Sequence, residues 1–410
     1  MRMFGRKVVS VAVAAALGGM ATGAVAGGFA IGTQSGSGTG NAFSGGAAAA
    51  DDASVAWYNP ALMTLLPGKQ VAGALHILKP SFKFENTAST SPIGSGEGGD
   101  GGDWAYVPNA FFTWAINRNL SFGLALNVPF GLKTEYEAGW RGQFTALKSE
   151  IKTVNVNPTL AYRFSDTVSI GGGFSYQKIE AELTNNAGAP GISKLSADDD
   201  GFGYNLGIMV HASPTTRIGA HYRSRIKYDL EGDVTFSNSA AAGSNVRADL
   251  EVPESLSLSI FQTMGNWEFM GDLTWTGWSS IQQLQIIRTS GPLTGATLTT
   301  LQFQWDDTWR YGIGANYKMS PQLKWRFGLA FDETPTNDTH RTPRLPDQDR
   351  TWVAFGLQWK PSKTSILDVG YAHEFIKDAT VNNSQGAAGQ LVGTFKNQAD
   401  ILSVQFSMSF

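Results

Sequence analysis

From residue 69 to the end of the chain, apolar and polar positions alternate with a period of two, the pattern of strands with one apolar face. The alternation is cleanest in the last segment, where Leu402, Val404, Phe406, Met408 and Phe410 interleave with Ser403, Gln405, Ser407 and Ser409. Val154, Val156, Leu160, Tyr162 and Phe164 interleave with Asn155, Asn157, Thr159 and Arg163. Trp325, Phe327, Leu329 and Phe331 alternate in the same way with Lys324, Arg326, Gly328 and Asp332. Fourteen such segments begin near residues 69, 104, 119, 152, 167, 202, 216, 247, 266, 303, 323, 350, 364 and 396.

The connections between them alternate in length. Six are short and built of turn residues: INRN, FSDT, SPTT, TMGN, MSPQ and PSKT. Seven are long, over 80–103, 129–151, 183–201, 231–246, 288–302, 333–349 and 377–395, and hold most of the Gly, Asp and Ser. An even strand number with short turns on one side and long loops on the other is the asymmetry of bacterial outer-membrane barrels. Each unpaired backbone group in hydrocarbon costs several kcal/mol, so a sheet with an apolar outer band must close. The expected fold is all-β, a fourteen-stranded antiparallel transmembrane β-barrel over residues 69–410, in a Gram-negative outer membrane.

The start of the chain reads differently. Arg2, Arg6 and Lys7 precede an apolar run from Val8 to Leu17 and then Ala24-Val25-Ala26, which predicts a signal peptide over 1–26 and a mature start at Gly27. Its apolar core is about ten residues, against the roughly twenty that a spanning helix needs. Without those three basic residues, 31 basic residues become 28 against 34 acidic, a net charge near −6 that gives no nucleic-acid signal. The chain has no Cys, which excludes disulfides and thiolate metal sites. The five His show no metal spacing, GSGTG (36–40) follows no strand, and the Asp-rich stretches 94–104 and 198–201 lack the spacing of a calcium loop. No cofactor or metal is therefore expected. No G-x-S-x-G elbow points to an enzyme, although dispersed Ser and His leave a lipid-acting barrel enzyme as one alternative. A general water-filled porin is another.

Residues 27–68 do not alternate, and residues 27–50 are almost all Gly, Ala, Ser, Thr, Asn and Phe. A fourteen-stranded barrel is wider than its side chains can fill, so its lumen is a water channel or is plugged. This segment is a candidate plug, with a periplasmic tail as the other reading. Asn59 can cap a short helix begun by Pro60, because proline at the first helical position loses no hydrogen bond.

The stretch GGFAIGTQSGSGTGNAFSGGAAAADDASVAWYNPALMTLL (27–66) resembles the N-terminal hatch of the long-chain fatty acid transporter (FadL-type) family of outer-membrane proteins. Segments 219–236, 274–286, 325–335 and 345–357 resemble that family in the same order. The resemblance implies a barrel closed by the hatch 27–68, with Phe29, Asn59, Pro60 and Ala61 as hatch or gate residues. It further implies passive uptake of hydrophobic molecules: capture by extracellular loops, a lumenal pocket, hatch rearrangement and lateral release near the third strand. The expected substrates are long-chain fatty acids, with aliphatic or aromatic hydrocarbons as the alternative. The resemblance also suggests a monomer. Phe410 resembles the C-terminal signal read by the outer-membrane assembly machinery, and the outer face would meet outer-membrane lipid and lipopolysaccharide.

Alternation along strand seven places Ile218, Ala220, Tyr222, Ile226 and Tyr228 on one side and His221, Arg223, Arg225 and Lys227 on the other. If the first row faces lipid, the second faces the lumen and can meet a carboxylate head group; equally, it can satisfy lumenal acids. Family members taking fatty acids also place basic residues along the fifth strand and near the tenth. The corresponding stretches here carry Glu180, Glu182, Asp306 and Asp307 beside Lys178 and Arg310, which leaves an uncharged substrate open. Phe130, Leu132, Trp140 and Phe144 are candidates for an outer capture groove, or for an interfacial aromatic girdle.

Overall fold

The computed structural model describes residues 27–91 and 93–410, so the expected signal peptide lies outside the described residues. Fourteen antiparallel strands close into a barrel. The first two are Lys69–Asn86 and Ala105–Ala115, and the third is Leu120–Asn127, continued by Gly131–Glu135. Strands four to six are Lys148–Arg163, Val168–Asn186 and Ile192–Ser213. The seventh is Thr216–Arg223 with Ile226–Phe236, the eighth Ser244–Val252 with Ser255–Met264, the ninth Trp267–Thr276 with Gln283–Arg288, and the tenth Thr297–Gln302 with Thr308–Lys318. The last four are Leu323–Asp332, Arg350–Trp359, Ser365–Ile376 with Ala379–Ser384, and Gln390–Ser409. Strand fourteen returns to strand one in an unbroken ladder from Gln70↔Ser409 to Asn86↔Gly393, which leaves no free edge to face lipid.

The two faces of the wall invert the pattern of a water-soluble sandwich. Leu160, Phe174, Phe202, Leu206, Ile313, Phe327, Phe355 and Phe406 are exposed on the outside. Their neighbours in the alternation, among them Asn155, Asn157, Asn205, Asn316 and Gln405, are buried inside. An outer surface this apolar is stable only against hydrocarbon.

The lumen is filled by residues of the N-terminal segment, not left open with a tail below it. That segment holds two one-turn helices, α1 (Gly36–Thr39) and α2 (Val55–Tyr58), and a 3₁₀ helix, Pro60–Leu65. Ala42, Ala48, Ala56, Ala61, Leu62 and Met63 are fully buried there. Ser35 caps α1, its hydroxyl accepting from the Gly38 N–H. Asn59 caps the 3₁₀ helix, its side-chain oxygen accepting from the Ala61 N–H at 3.1 Å, with Pro60 at the first position.

Candidate functional site

Basic side chains on the strands point inward and donate to hatch backbone. Arg217 Nε reaches Ala48 O at 3.0 Å and Arg223 Nη2 reaches Trp57 O at 3.0 Å, while Arg163 and Arg310 donate to Thr64 O and Ala42 O. The Arg223 guanidinium also lies 3.3 Å from the centroid of the Trp57 ring, a cation–π contact. Arg326 bridges Asp51 at 2.6 Å and Asp368 at 2.9 Å, and Lys324 meets Asp51 at 3.2 Å. Burial pushes the Asp51 carboxyl up, but Lys324 and Arg326 together hold it well below the usual carboxylate range. Asn59 Nδ2 donates to Ala47 O at 2.7 Å and to Ile208 O at 3.0 Å, tying two hatch turns to strand six. These contacts run from Ala42 to Thr64 and fix the body of the hatch to the wall.

Residues 27–34 are held elsewhere, at an interruption in the barrel. Strands two and three pair only as far as Ala110↔Leu126, and strand three breaks at residues 128–130. The hatch adds a short strand on the lumenal side: Ala30 faces Phe130, Ile31 N–H donates to Pro129 O at 2.8 Å, and Gly131 N–H donates to Phe29 O at 2.9 Å. Gln34 Nε2 donates to Val128 O at 2.8 Å while its Oε1 accepts from Asn127 Nδ2 at 2.7 Å, and Asn109 Nδ2 donates to Thr33 and Gln34 carbonyls. Ile31 falls in one buried cluster with Ala105, Val107 and Val128, the residues that edge the break. The wall is therefore open in its own hydrogen bonding here and stopped by residues 29–34.

Phe29 joins this stopper to a cavity. Its ring packs against Phe130, Trp278 and Trp305, with centroids 5.7, 5.1 and 5.8 Å away. Phe29 also lines an apolar cavity whose wall is built from strand residues such as Leu132, Ile151, Leu183, Leu230, Leu250 and Leu284. That lining suits a hydrophobic ligand. Leu183, Leu301 and Arg344 are shared with a second, wider space, lined also by Phe144, Leu195, Phe236 and Ser384.

Arg344 stands where the two spaces meet, on the loop between strands eleven and twelve. It is 9% exposed. Its Nη1 donates to Ser149 Oγ at 3.0 Å and Lys148 O at 3.3 Å, while its Nε has no partner. Among the described residues it forms no ion pair, whereas Arg341 on the same cavity wall pairs with Asp338. Burial without a counter-charge pushes the Arg344 guanidinium down to about 10. A buried cation in an apolar wall is costly unless an anion joins it.

The residues singled out from sequence divide accordingly. Phe29 sits at the cavity floor, and Asn59, Pro60 and Ala61 anchor the hatch body. His221 and Arg223 do face the lumen, but Arg223 is engaged by Trp57. Arg225 and Lys227 lie on the outer face, paired with Glu251 and Glu254. This placement has a local cause: strand seven breaks at Ser224–Arg225, where Ser224 Oγ accepts the Tyr204 N–H at 2.9 Å, and the alternation shifts by one residue. Leu132 lines the inner cavity, Phe130 edges the wall break and Phe144 lines the wider space. Trp140 is buried at 1% exposure, stacked on Tyr136 at 4.4 Å, so it packs the loops rather than offering a groove. Arg344, Ile31 and Gln34 were missed. Arg344 sits between Arg341 and Arg350 in RTPRLPDQDR, and no spacing marks which arginine lacks an acid.

Residues 18–410 match the family described as outer membrane protein transport protein (OMPP1/FadL/TodX). The long-chain fatty acid transport protein of Escherichia coli K12 is 28% identical, over 89% of this chain and 92% of that one. Among solved structures, a Pseudomonas aeruginosa FadL homologue superposes with a TM-score of 0.86 at 23% identity, covering 94% of this chain and all of that one. The Ralstonia pickettii toluene transporter TbuX superposes with a TM-score of 0.67 at 16% identity, covering 92% and 98%.

Proposed function

The chain belongs to the outer membrane protein transport family of OMPP1, FadL and TodX, outer-membrane transporters of hydrophobic compounds, and on that basis we propose passive uptake of hydrophobic acids, long-chain fatty acids foremost. The observation that carries the acid is Arg344, a buried guanidinium with no acid partner among the described residues, at the neck of an apolar cavity. The acyl chain fills the leucine-rich cavity at about 0.8 kcal/mol per CH₂, and the carboxylate takes the place of the missing counter-charge. The wider outer space, with Phe144 and Phe236 on its wall, serves as the capture site.

The same arithmetic sets the exit. Release into periplasmic water would forfeit the transfer energy of every methylene, whereas sideways passage into the bilayer keeps the chain in an apolar medium throughout. Displacement of Phe29 and its short strand frees the break in strand three and joins cavity to membrane, while the hatch body stays fixed.

A hydrocarbon substrate is the second reading, favoured by the almost wholly apolar cavity wall. Mass spectrometry of lipid extracted with the purified barrel, followed by binding of oleate and of toluene, separates the two. Oleate binding supports the acid reading, toluene binding without oleate replaces it with the hydrocarbon one, and binding of neither with steady ion conductance returns the general porin.

A further inference from the structure

Strands fourteen and one close the barrel, and their outer faces change character at one register position. Towards the short turns these faces are apolar, with Leu75 and Ile77 on strand one and Leu402, Val404 and Phe406 on strand fourteen. Lys79 then stands opposite Asp400, Ser81 opposite Gln398 and Lys83 opposite Lys396, so from Lys79 towards the long loops the seam is polar. Trp104 and Tyr106, 46% and 43% exposed, lie at the same level beside strand one, Tyr106 opposite Ile77. Exposed aromatic residues at the edge of an apolar band mark the boundary between hydrocarbon and headgroups.

Lys83 and Lys396 are like charges directly opposed across a strand pair, a destabilising arrangement unless an anion joins them. The acids of this face are engaged elsewhere. Asp400 is turned to strand thirteen, where it accepts from the Tyr371 hydroxyl at 2.6 Å and meets His373 Nδ1 at 2.8 Å. Asp378 pairs with Lys396, Asp100 accepts from the Ser81 hydroxyl at 2.7 Å and the Phe82 N–H at 2.8 Å, and Glu85 ends the row on the loop side. Lys79 lies 5.1 Å from the centroid of the Trp104 ring, a cation–π contact that leaves its charge uncompensated. Neither Lys79 nor Lys83 forms an ion pair among the described residues. The outer wall of strands four to seven is different at its loop ends. Glu150 stands opposite Glu182, and Glu180 and Glu231 both stand opposite Asp198, while Lys148, Lys152, Lys178 and Lys194 are all paired with these acids. An anionic headgroup is repelled from that wall and drawn to the seam.

We propose that the seam of strands fourteen and one binds a phosphorylated glycolipid of the outer leaflet, lipopolysaccharide, with a phosphate held by Lys79, Lys83 and Lys396 and acyl chains laid along Leu75, Ile77 and Leu402. The phosphate is the anion that the facing lysines lack, and each ammonium gives it a charge-assisted hydrogen bond. Apolar contact below and charge above fix the lipid at one height on the wall. The bound lipid thereby clamps the joint at which the first and last strands meet. The inference rests on the outer-membrane location and not on the transported molecule, so its failure leaves the reading of the lumenal cavity untouched.

It is tested on the purified, delipidated barrel in detergent, with divalent cations removed by a chelator so that no metal bridges phosphate to acid. Native mass spectrometry measures binding of a short-chain lipopolysaccharide of single mass, and of the same lipid stripped of its phosphates. Wild type is compared with Lys79→Gln/Lys83→Gln and with Lys152→Gln/Lys178→Gln, an equal loss of charge on the acidic wall. The expected result is one tightly held lipid on wild type and on the second variant, binding at least tenfold weaker on Lys79→Gln/Lys83→Gln, and binding of the phosphate-free lipid to wild type at least tenfold weaker. Equal binding by wild type and Lys79→Gln/Lys83→Gln, equal loss in both variants, or equal binding of the two lipids to wild type overturns the proposal. Should Lys79→Gln/Lys83→Gln fail to fold, the comparison of the two lipids on wild type and the single variant Lys83→Gln decide.

Discussion

Asn59 and Gly207 compete for one volume: the Asn59 side-chain oxygen lies where a β-carbon on Gly207 would have to stand. The lumenal face of strand six is thus cut back to hydrogen so that the hatch cap can reach Ile208 O and Ala47 O. Gly171 plays the same part for the next residues, since a β-carbon there would sit 2.6 Å from the Ala61 nitrogen. The Asn-Pro-Ala turn is therefore seated in a mould formed by two strands.

Gly207→Val should unseat this turn, because the collision is with a buried polar side chain that makes two other hydrogen bonds. The expected outcome is a barrel that still folds, judged by its strand content, but conducts ions steadily in a planar bilayer where wild type is silent. Asn59→Ala should act in the same direction and more weakly, with the loss of a cap and two buried hydrogen bonds, about 2–4 kcal/mol of hatch stability. Silent bilayers for both variants would mean that the lumen is blocked by something other than this seat.

Arg344→Gln keeps hydrogen-bonding capacity and removes the charge. Loss of a charge-assisted contact of about 1.5–3 kcal/mol predicts oleate binding weakened about tenfold or more, with oleyl alcohol bound within about twofold of wild type. Fluorescence displacement on the purified protein measures both. Equal loss for the acid and the alcohol would show a packing role, and no loss for either would remove Arg344 from recognition.

Much of this was legible in the chain and some was not, for identifiable reasons. The barrel could be read because each strand's alternation is local, and the hatch because its residues stop alternating at one place. Strand seven misled at a single residue: Ser224 interrupts the ladder, so parity carried from Arg223 to Lys227 puts two charges on the wrong face. The lumenal arginines find their hatch partners more than two hundred residues away: Arg310 donates to the Ala42 carbonyl, and Arg326 to the side chains of Asn41 and Asp51. Arg344 is special for lacking an acid among the described residues, and an absence in three dimensions leaves no mark on the sequence.

The Asp51 tie predicts a pH response with a definite sign. Its carboxyl is held below an ordinary aspartate's 3.8, so its stabilising contribution is fully present above that value and is lost only as pH falls beneath it. Hydrogen exchange of hatch amides should therefore be unchanged by this group between about pH 8 and pH 5, after correction for intrinsic rates. Asp51→Asn should loosen residues 41–52 across that whole range, since Lys324 and Arg326 lose a charged partner at every pH. Loosening in wild type as pH falls from 8 to 5 would contradict the assignment.

The lateral route makes a prediction that the chain is well suited to test, because it has no native cysteine. Ala30 and Phe130 are directly opposed, and the flanking bonds run from Ile31 N to Pro129 O and from Gly131 N to Phe29 O. That makes them a non-hydrogen-bonded pair, with α-carbons about 4.5 Å apart, within the range of roughly 4.4–6.8 Å that a disulfide spans. Ala30→Cys with Phe130→Cys should therefore oxidise readily and bolt the short strand across the break. If substrate leaves by displacement of this strand, oleate uptake by cells carrying the oxidised variant should fall at least tenfold and return on reduction, while binding to the purified protein persists. Because oxidised and reduced forms share one sequence, the loss of the Phe130 ring cancels in the ratio. Equal uptake by both forms, with the disulfide verified by mass, would place the exit elsewhere in the barrel.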